Sequence, residues 1–344
     1  MSSKKKITIY DIAREANTSI CTVSKALTGK PKVSDKKRQE IIKTANRLGY
    51  KANKIAHSLA RKTIKIGILL PTDWPQFHTY LEKGIRSELQ LLQDYNIEGV
   101  FEYIPDTRSI QTDIRGIVNK MLIKDISALI LCPEFYYDFT GLLKEMKDRN
   151  IPVLLAGNNL SYGSRLSYIG VDSELSGKLA AEVGRSFIGE NGSAAVFIGD
   201  KNNKTHIKKA DGFKSEAEYD PFVVSGTYET RDDPDTAFDV TRKLIAEHPE
   251  TELIYVATGN SATVCKYLYQ NGLKVKVIGT DIFPELVEYM KKGIVIASIF
   301  QNPMIIGKQS IRVLNSYFSE HTVPKKNILI PPQVVFRNNV HLFE

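Results

Sequence analysis

From residue 64 onward, short apolar runs alternate with amphipathic stretches of helical length. That alternation restricts the chain to β-α-β architecture, because parallel strands need helical crossovers that also cover the sheet faces. The apolar runs fall at 64–71, 100–105, 127–133, 151–158, 167–172, 194–200, 222–229, 252–259, 275–281 and 294–300. Between them, Phe77, Leu81, Ile85, Leu89 and Leu92 share one helical face, as do Leu175, Leu179, Val183 and Phe187. Two sets of five runs predict an α/β core of two doubly wound parallel-sheet lobes. The expected divisions are 64–165 with 302–330 for the first lobe and 166–301 with 331–344 for the second.

In such lobes a ligand sits beyond the carboxyl ends of the strands. The residues just after the runs are therefore the candidates: Asp73, Trp74 and Phe77, Phe135 to Tyr137, Asn158, the stretch 200–209, Tyr228 and Glu229, Thr258 to Asn260, Asp281 and Gln301. Aromatic planes with a few acids and amides suit a polyhydroxylated ligand. A nucleotide cofactor is not expected, since neither G-x-G-x-x-G on a strand nor G-x-x-x-x-G-K-[ST] occurs. The cysteines, Cys21, Cys132 and Cys265, stand far apart without metal-ligand spacing, so neither a disulfide scaffold nor a metal site is expected. The six histidines are scattered, and no G-x-S-x-G or H-E-x-x-H accompanies them, so no catalytic residue and no enzymatic activity is expected.

The N-terminus differs in charge from the rest. Residues 1–62 hold 16 Lys and Arg against 4 Asp and Glu, a net of +12, whereas the remainder holds 31 against 35. A basic head on a slightly acidic body points to a polyanion for the head alone. The N-terminal sequence has no apolar stretch of the kind a signal peptide carries, and no run approaches a membrane span, so a cytoplasmic protein without membrane contact is expected.

The head is patterned as three short helices. Thr8 with Asp11 opens the first, whose inner face is Ile9, Ile12, Ala13 and Ala16. Asn17 can take the left-handed turn that follows. Ser19 caps a second helix with Val23, Ala26 and Leu27 inward, and Ser34 a third with Ile41, Ile42, Ala45 and Leu48 inward. This is a helix-turn-helix, whose second helix enters the major groove of DNA. Ile20, Cys21 and Lys25 point toward base edges. Ser19, Thr22, Ser24 and Thr28 carry hydroxyls suited to phosphate oxygens, or to capping.

The string from Ile7 to Lys62 resembles the DNA-binding head of the lactose-repressor (LacI/GalR) family. It carries T-I-Y-D-I-A, S-I-C-T-V-S-K, V-S with a later Arg, and L-G-Y-K-A-N-K-I-A-H-S-L. The resemblance implies an all-α helix-turn-helix head over 1–52, with Tyr10, Tyr50 and Asn53 also at phosphates. It implies a hinge over 53–63 that enters the minor groove as a pair. There Leu59 is the wedge between base pairs and Ala56 permits the close approach. The body resembles periplasmic-type sugar-binding domains more weakly. By that resemblance Lys209 stands where relatives carry an effector-binding Arg, and Asp281 and Gln301 match effector-binding positions. The candidate effector residues are thus Asp73, Trp74, Phe77, Tyr136, Asn158, Lys209, Tyr228, Asn260, Asp281 and Gln301.

The resulting expectation is a ligand-responsive, sequence-specific DNA-binding transcriptional regulator, in this family most often a repressor. It acts as a homodimer on a near-palindromic double-stranded operator, with a carbohydrate-like small molecule as effector. No heptad tail follows residue 344, which favours a dimer over a tetramer. A purine or a phosphoprotein in the effector's place is the alternative. A solute-binding transport component is the rival from another class, disfavoured by the basic head. Replacing Leu59 by Ala should lower specific operator affinity and reduce the DNA bend, since the wedge drives the kink. Gel-shift titration and a circular-permutation bending assay measure both, and unchanged values would remove Leu59 from the hinge.

Overall fold

A computed structural model describes residues 7–27, 31–48, 50, 63–72, 75–105, 113–134 and 137–343. The chain divides into two compact units, a head within Met1–Lys62 and a core that begins at Thr63. Among the described residues no helix is long and apolar enough to cross a membrane.

The head consists of α1 (Ile9–Glu15), α2 (Ile20–Leu27) and α3 (Asp35–Arg47). Both the backbone N–H and the hydroxyl of Thr8 donate to Asp11 Oδ2, at 2.9 and 2.7 Å, and tie down the start of α1. Asn17 turns the chain with φ +42°, a left-handed conformation that Asn tolerates better than most residues. Ser19 Oγ accepts from the Thr22 N–H at 3.1 Å and starts α2, and Ser34 Oγ accepts from the Lys37 N–H at 3.4 Å and starts α3. Ile12, Val23 and Ile41 are sealed in the head's core, surrounded by Ala13, Ala16, Ala26 and Ala45. These small neighbours let short helices pack closely. Ile42, expected to face inward, is 39% exposed. Adjacent helical positions point about 100° apart, and Ile41 holds the core position. Lys37 Nζ donates to the Ala16 carbonyl at 2.8 Å and Arg38 to the Ala26 carbonyl at 3.3 Å. Cations thus meet the negative ends of α1 and α2.

The core runs β1 (Ile64–Pro71), α4 (Pro75–Leu91), β2 (Ile97–Ile104), α5 (Ile114–Ile123), β3 (Ala128–Leu131), α6 (Thr140–Asp148), β4 (Val153–Ala156) and β5 (Ser167–Val171). It continues with α7 (Ser173–Ile188), β6 (Ser193–Ile198), α8 (Lys204–Tyr219), β7 (Val223–Glu229), α9 (Pro234–Glu247), β8 (Leu253–Val256) and α10 (Ser261–Gln270). The last elements are β9 (Lys276–Thr280), α11 (Pro284–Lys291), β10 (Val295–Phe300), α12 (Pro303–Glu320), β11 (Asn327–Ile330) and β12 (Gln333–Val335). One sheet has the order β2-β1-β3-β4-β5-β11 and the other β7-β6-β8-β9-β10-β12. Every pairing is parallel except that of β12, which lies antiparallel to β10. Both lobes therefore repeat one doubly wound order, with a switch point between the strands flanking β1 and β6.

The expected boundary at 165/166 needs correction. β5 pairs with β4, Leu155 opposite Tyr168, and with β11, Tyr168 opposite Asn327, so the first lobe extends through Val171. The run 167–172 is buried on both faces in either lobe, and composition alone did not tell which sheet it joins.

Each lobe rests on a glycine-mediated helix pair. α4 packs on α12 and α7 on α8. A Cβ at Gly84 would strike the Met304 carbonyl, and one at Gly307 the Leu81 carbonyl. A Cβ at Gly177 would strike the Lys209 carbonyl, and one at Gly212 the Glu174 carbonyl. Backbone cannot yield as a side chain can, so Gly177→Ala must push the helices apart. It should cost ~1–3 kcal/mol, the usual range for overpacking. Urea denaturation should show a lower midpoint at an unchanged slope, and an unshifted midpoint would mean that the helices part freely.

Candidate functional site

A cleft of about 640 Å³, part of it open to solvent, lies where the carboxyl ends of the two sheets face each other. From the first lobe, α4 supplies Gln76, Phe77 and His78, the loop after β3 supplies Glu134, and the turn after β4 supplies Gly157 and Asn158. The second lobe supplies Asn203, Thr205, His206 and Lys209 at the start of α8, Asp232 after β7, and Ala257 to Gly259 after β8. Thr280, Asp281 and Gln301 complete it after β9 and β10.

The second lobe's wall is a set of buried charges held by hydrogen bonds. Lys209 is 3% exposed and donates from Nζ to the Ala257 carbonyl at 3.2 Å. Asp281 accepts from the Gln301 backbone N–H at 3.0 Å and from its side-chain Nε2 at 2.6 Å. It does so with φ +62°, a left-handed backbone that aims its carboxylate. Thr258 Oγ1 donates to Asp232. His206 Nδ1 accepts from the Asp200 N–H at 3.2 Å and lies 4.0 Å from Asp232.

Burial sets the protonation of these groups. It lowers Lys209 to about 8, against the pull of Asp281 and Asp232. It raises Asp281 above the usual carboxylate range, opposed by the Gln301 hydrogen bonds and by Lys209. It lowers His206, despite Asp232. On the first lobe, burial would lower His78 too, but Cys132 and Glu134 beside it hold it well above the usual imidazole range. A cleft of carboxylates, amides, one ammonium and an aromatic face can take up hydroxyl pairs and apolar C–H patches.

Of the residues singled out in the sequence, Phe77, Asn158, Lys209, Asp281 and Gln301 meet in this cleft. Asp73, Trp74 and Tyr136 lie outside the described residues. Tyr228 does not line the cleft. Its ring packs on Phe197 at 5.8 Å in the second lobe's core. Alternate strand residues face opposite ways, and Tyr228 has the inward parity. Asn260 stands behind the wall, 2% exposed, with Nδ2 donating to Thr230 Oγ1 at 3.3 Å. Sequence reasoning missed Asp232, which follows a strand by three residues. His206 falls in the candidate stretch 200–209, and His78, which no motif marks, is buried in the same cleft. The signal for His206 was its place three residues before Lys209, on the same helical face.

On the head, Tyr10 is 67% and Ile20 41% exposed, and Cys21 is exposed too. Lys25, Thr22 and Ser24 are half-buried on α2. Ser19 and Thr22 share a hydroxyl–hydroxyl hydrogen bond of 2.8 Å at its start, which is their capping role. Tyr50 packs against the head's core. Thr28, Asn53, Ala56 and Leu59 lie outside the described residues.

Residues 8–53 match the family described as bacterial regulatory proteins, lacI family, and residues 66–321 match the periplasmic binding protein domain. Catabolite control protein A of Priestia megaterium is 26% identical over 354 residues, covering 97% of this chain and 99% of its own. Its namesake in Staphylococcus xylosus is 24% identical, covering 96% and 98%. Among solved structures, a solute binding protein from Agrobacterium vitis bound with alpha-D-tagatopyranose has a TM-score of 0.71 at 21% identity, covering 81% of this chain and 96% of that one. A putative LacI transcriptional regulator from Bacteroides fragilis has a TM-score of 0.69 at 18% identity, covering 82% and 100%. At these identities the structural likeness is one of fold.

Lys209 gives the site a pH signature. Its ammonium is harder to form in the folded chain, so between about pH 8 and its unfolded value of 10.5 the unfolded state binds more protons. Lys209 thus makes stability rise with pH across that window and contributes no slope below it. Replacing Lys209 by Met should remove the rise. Denaturant unfolding of both proteins from pH 7.5 to 10.5 tests this, and parallel profiles would place Lys209 in water.

Proposed function

Since the chain belongs by its core to the periplasmic binding protein domain family and carries the head of the lacI-family bacterial regulatory proteins, we propose that it is a transcriptional regulator whose operator affinity is set by a small polyhydroxylated ligand. The observation that carries the ligand half is the buried set Lys209, Asp281 and Asp232 at the strand ends. Buried charges stay costly even when hydrogen-bonded, and a ligand with several hydroxyls offers them further polar contacts that an apolar ligand cannot. The sugar named with the Agrobacterium vitis structure is of that chemistry.

In this reading the role is one of binding, not catalysis, and the setting is the cytoplasm, where the operator is. The chain acts as a homodimer, and its twofold symmetry makes the operator near-palindromic. Ile20, Cys21 and Lys25 face the bases, with Tyr10 at phosphate. The ligand bridges Phe77 and Asn158 of one lobe to Lys209, Asp281 and Gln301 of the other, and so favours the closed arrangement. Closure is passed to the head as a coupling of ~1–3 kcal/mol.

A thermal-shift panel of monosaccharides, polyols, sugar phosphates and purines tests the ligand. A true effector at a hundred times its dissociation constant adds ~2.7 kcal/mol of stability and several degrees of melting temperature. Asp281→Ala should abolish that shift and leave operator binding by the unliganded protein in place. An intact ligand response in this variant would move the site elsewhere.

A further inference from the structure

Three side chains that the effector reading leaves unassigned meet in the first lobe's wall. His78 lies in the first turn of α4, Cys132 directly follows β3, and Glu134 comes two residues later. They are 5%, 0% and 5% exposed. His78 Nε2 stands 3.4 Å from Glu134 Oε1. One donor atom from each of the three lies within 4.8 Å of the others.

A tetrahedral zinc centre with one nitrogen, one oxygen and one sulfur ligand needs neighbouring donors about 3.3–3.6 Å apart. The nitrogen–oxygen edge already has that length, and the sulfur lies no more than 4.8 Å from either, so a small movement of the thiol side chain completes the triangle. Thiolate, imidazole and carboxylate together form a borderline-soft set. It suits Zn²⁺ or Co²⁺ and not the all-oxygen preference of Mg²⁺ or Ca²⁺.

The donors are held by regular structure. The Cys132 N–H donates to the Leu69 carbonyl at 3.1 Å, which locks the sulfur's backbone to β1. The Glu134 carbonyl accepts from the Tyr137 N–H at 3.2 Å. Burial pushes the Cys132 thiol above its ordinary value, opposed by His78 beside it, so a metal binding there would displace the thiol proton. His78 and Glu134 line the cleft, so a fourth coordination position beside them faces it.

We infer that His78, Cys132 and Glu134 form a site for a transition metal of the zinc class, with its open position directed into the ligand cleft. The metal then presents a Lewis acid to a ligand oxygen, opposite the carboxylates of the second lobe. The inference stands apart from DNA binding and from the identity of the effector.

The test uses the full chain, stripped with chelator and titrated with Co²⁺. The expected spectrum has a thiolate-to-cobalt charge-transfer band in the near ultraviolet and strong tetrahedral bands in the visible, all bleached by one equivalent of Zn²⁺. Cys132→Ala and Cys132→Ser should each abolish the charge-transfer band while melting cooperatively without metal. Glu134→Gln should weaken Co²⁺ binding by roughly a hundredfold, more than most losses of an outer-shell partner. No sulfur band in the parent protein, or a band that survives in either Cys132 variant, would overturn the assignment and leave a buried His78–Glu134 ion pair beside a thiol.

Discussion

Two backbone-to-backbone contacts between helices position the functional residues of the core. α4 carries Gln76, Phe77 and His78 at its start, and its Gly84 lies against the Met304 carbonyl of α12. α8 begins with Thr205, His206 and Lys209, and the Lys209 carbonyl itself lies against Gly177 of α7. In each lobe the helix after the lobe's first strand is therefore fixed in rotation and height by a glycine at its contact with a neighbour. A bulkier side chain at either contact would displace the helix whose first turn faces the ligand. Close packing of this kind transmits displacement because interiors do not compress.

The cleft departs from the apolar character of most small-molecule pockets. Lys209, Asp232, Asp281 and His206 are all nearly excluded from water; Lys209, Asp281 and His206 are held by backbone or amide hydrogen bonds and Asp232 by the Thr258 hydroxyl. Such an arrangement is costly, since burial opposes the charged forms of Lys209, Asp281 and His206. A core tuned only for stability would have filled the space with aliphatic side chains. Retained charges at the strand ends therefore mark this surface as one shaped for a polar ligand, and the same cost makes the empty cleft responsive to whatever enters it.

Much of the molecule was legible in the residues. The three head helices announce themselves through Thr8, Ser19 and Ser34 as caps and through Ile12, Val23 and Ile41 as the inner stripe. The alternation of apolar runs with helical faces gave two lobes. What stayed hidden has physical causes. Residues 167–171 form a strand buried on both faces, and such a run carries no mark of which sheet it completes. Tyr228 lies near the end of a strand beside a ligand site, but strand parity turns it inward, and parity depends on a bulge in β7, where Val224 and Gly226 pair with the adjacent Ala194 and Ala195, that no local pattern reveals. His78 and Glu134 come from elements 56 residues apart, so only the fold brings their side chains within reach.

The order in which the strands enter the sheets also has a consequence during synthesis. The first sheet is closed by β11, residues 327–330, and its helix α4 is covered by α12, residues 303–320. Neither exists until all of the second lobe but β12 has been made. On the ribosome the amino-terminal lobe must therefore wait with an open strand edge and an uncovered apolar helix face, while the later lobe can pair β6 through β10 as it emerges. The contacts that complete the first lobe therefore form late, and an incompletely translated product exposes the surface that chaperones and proteases recognise.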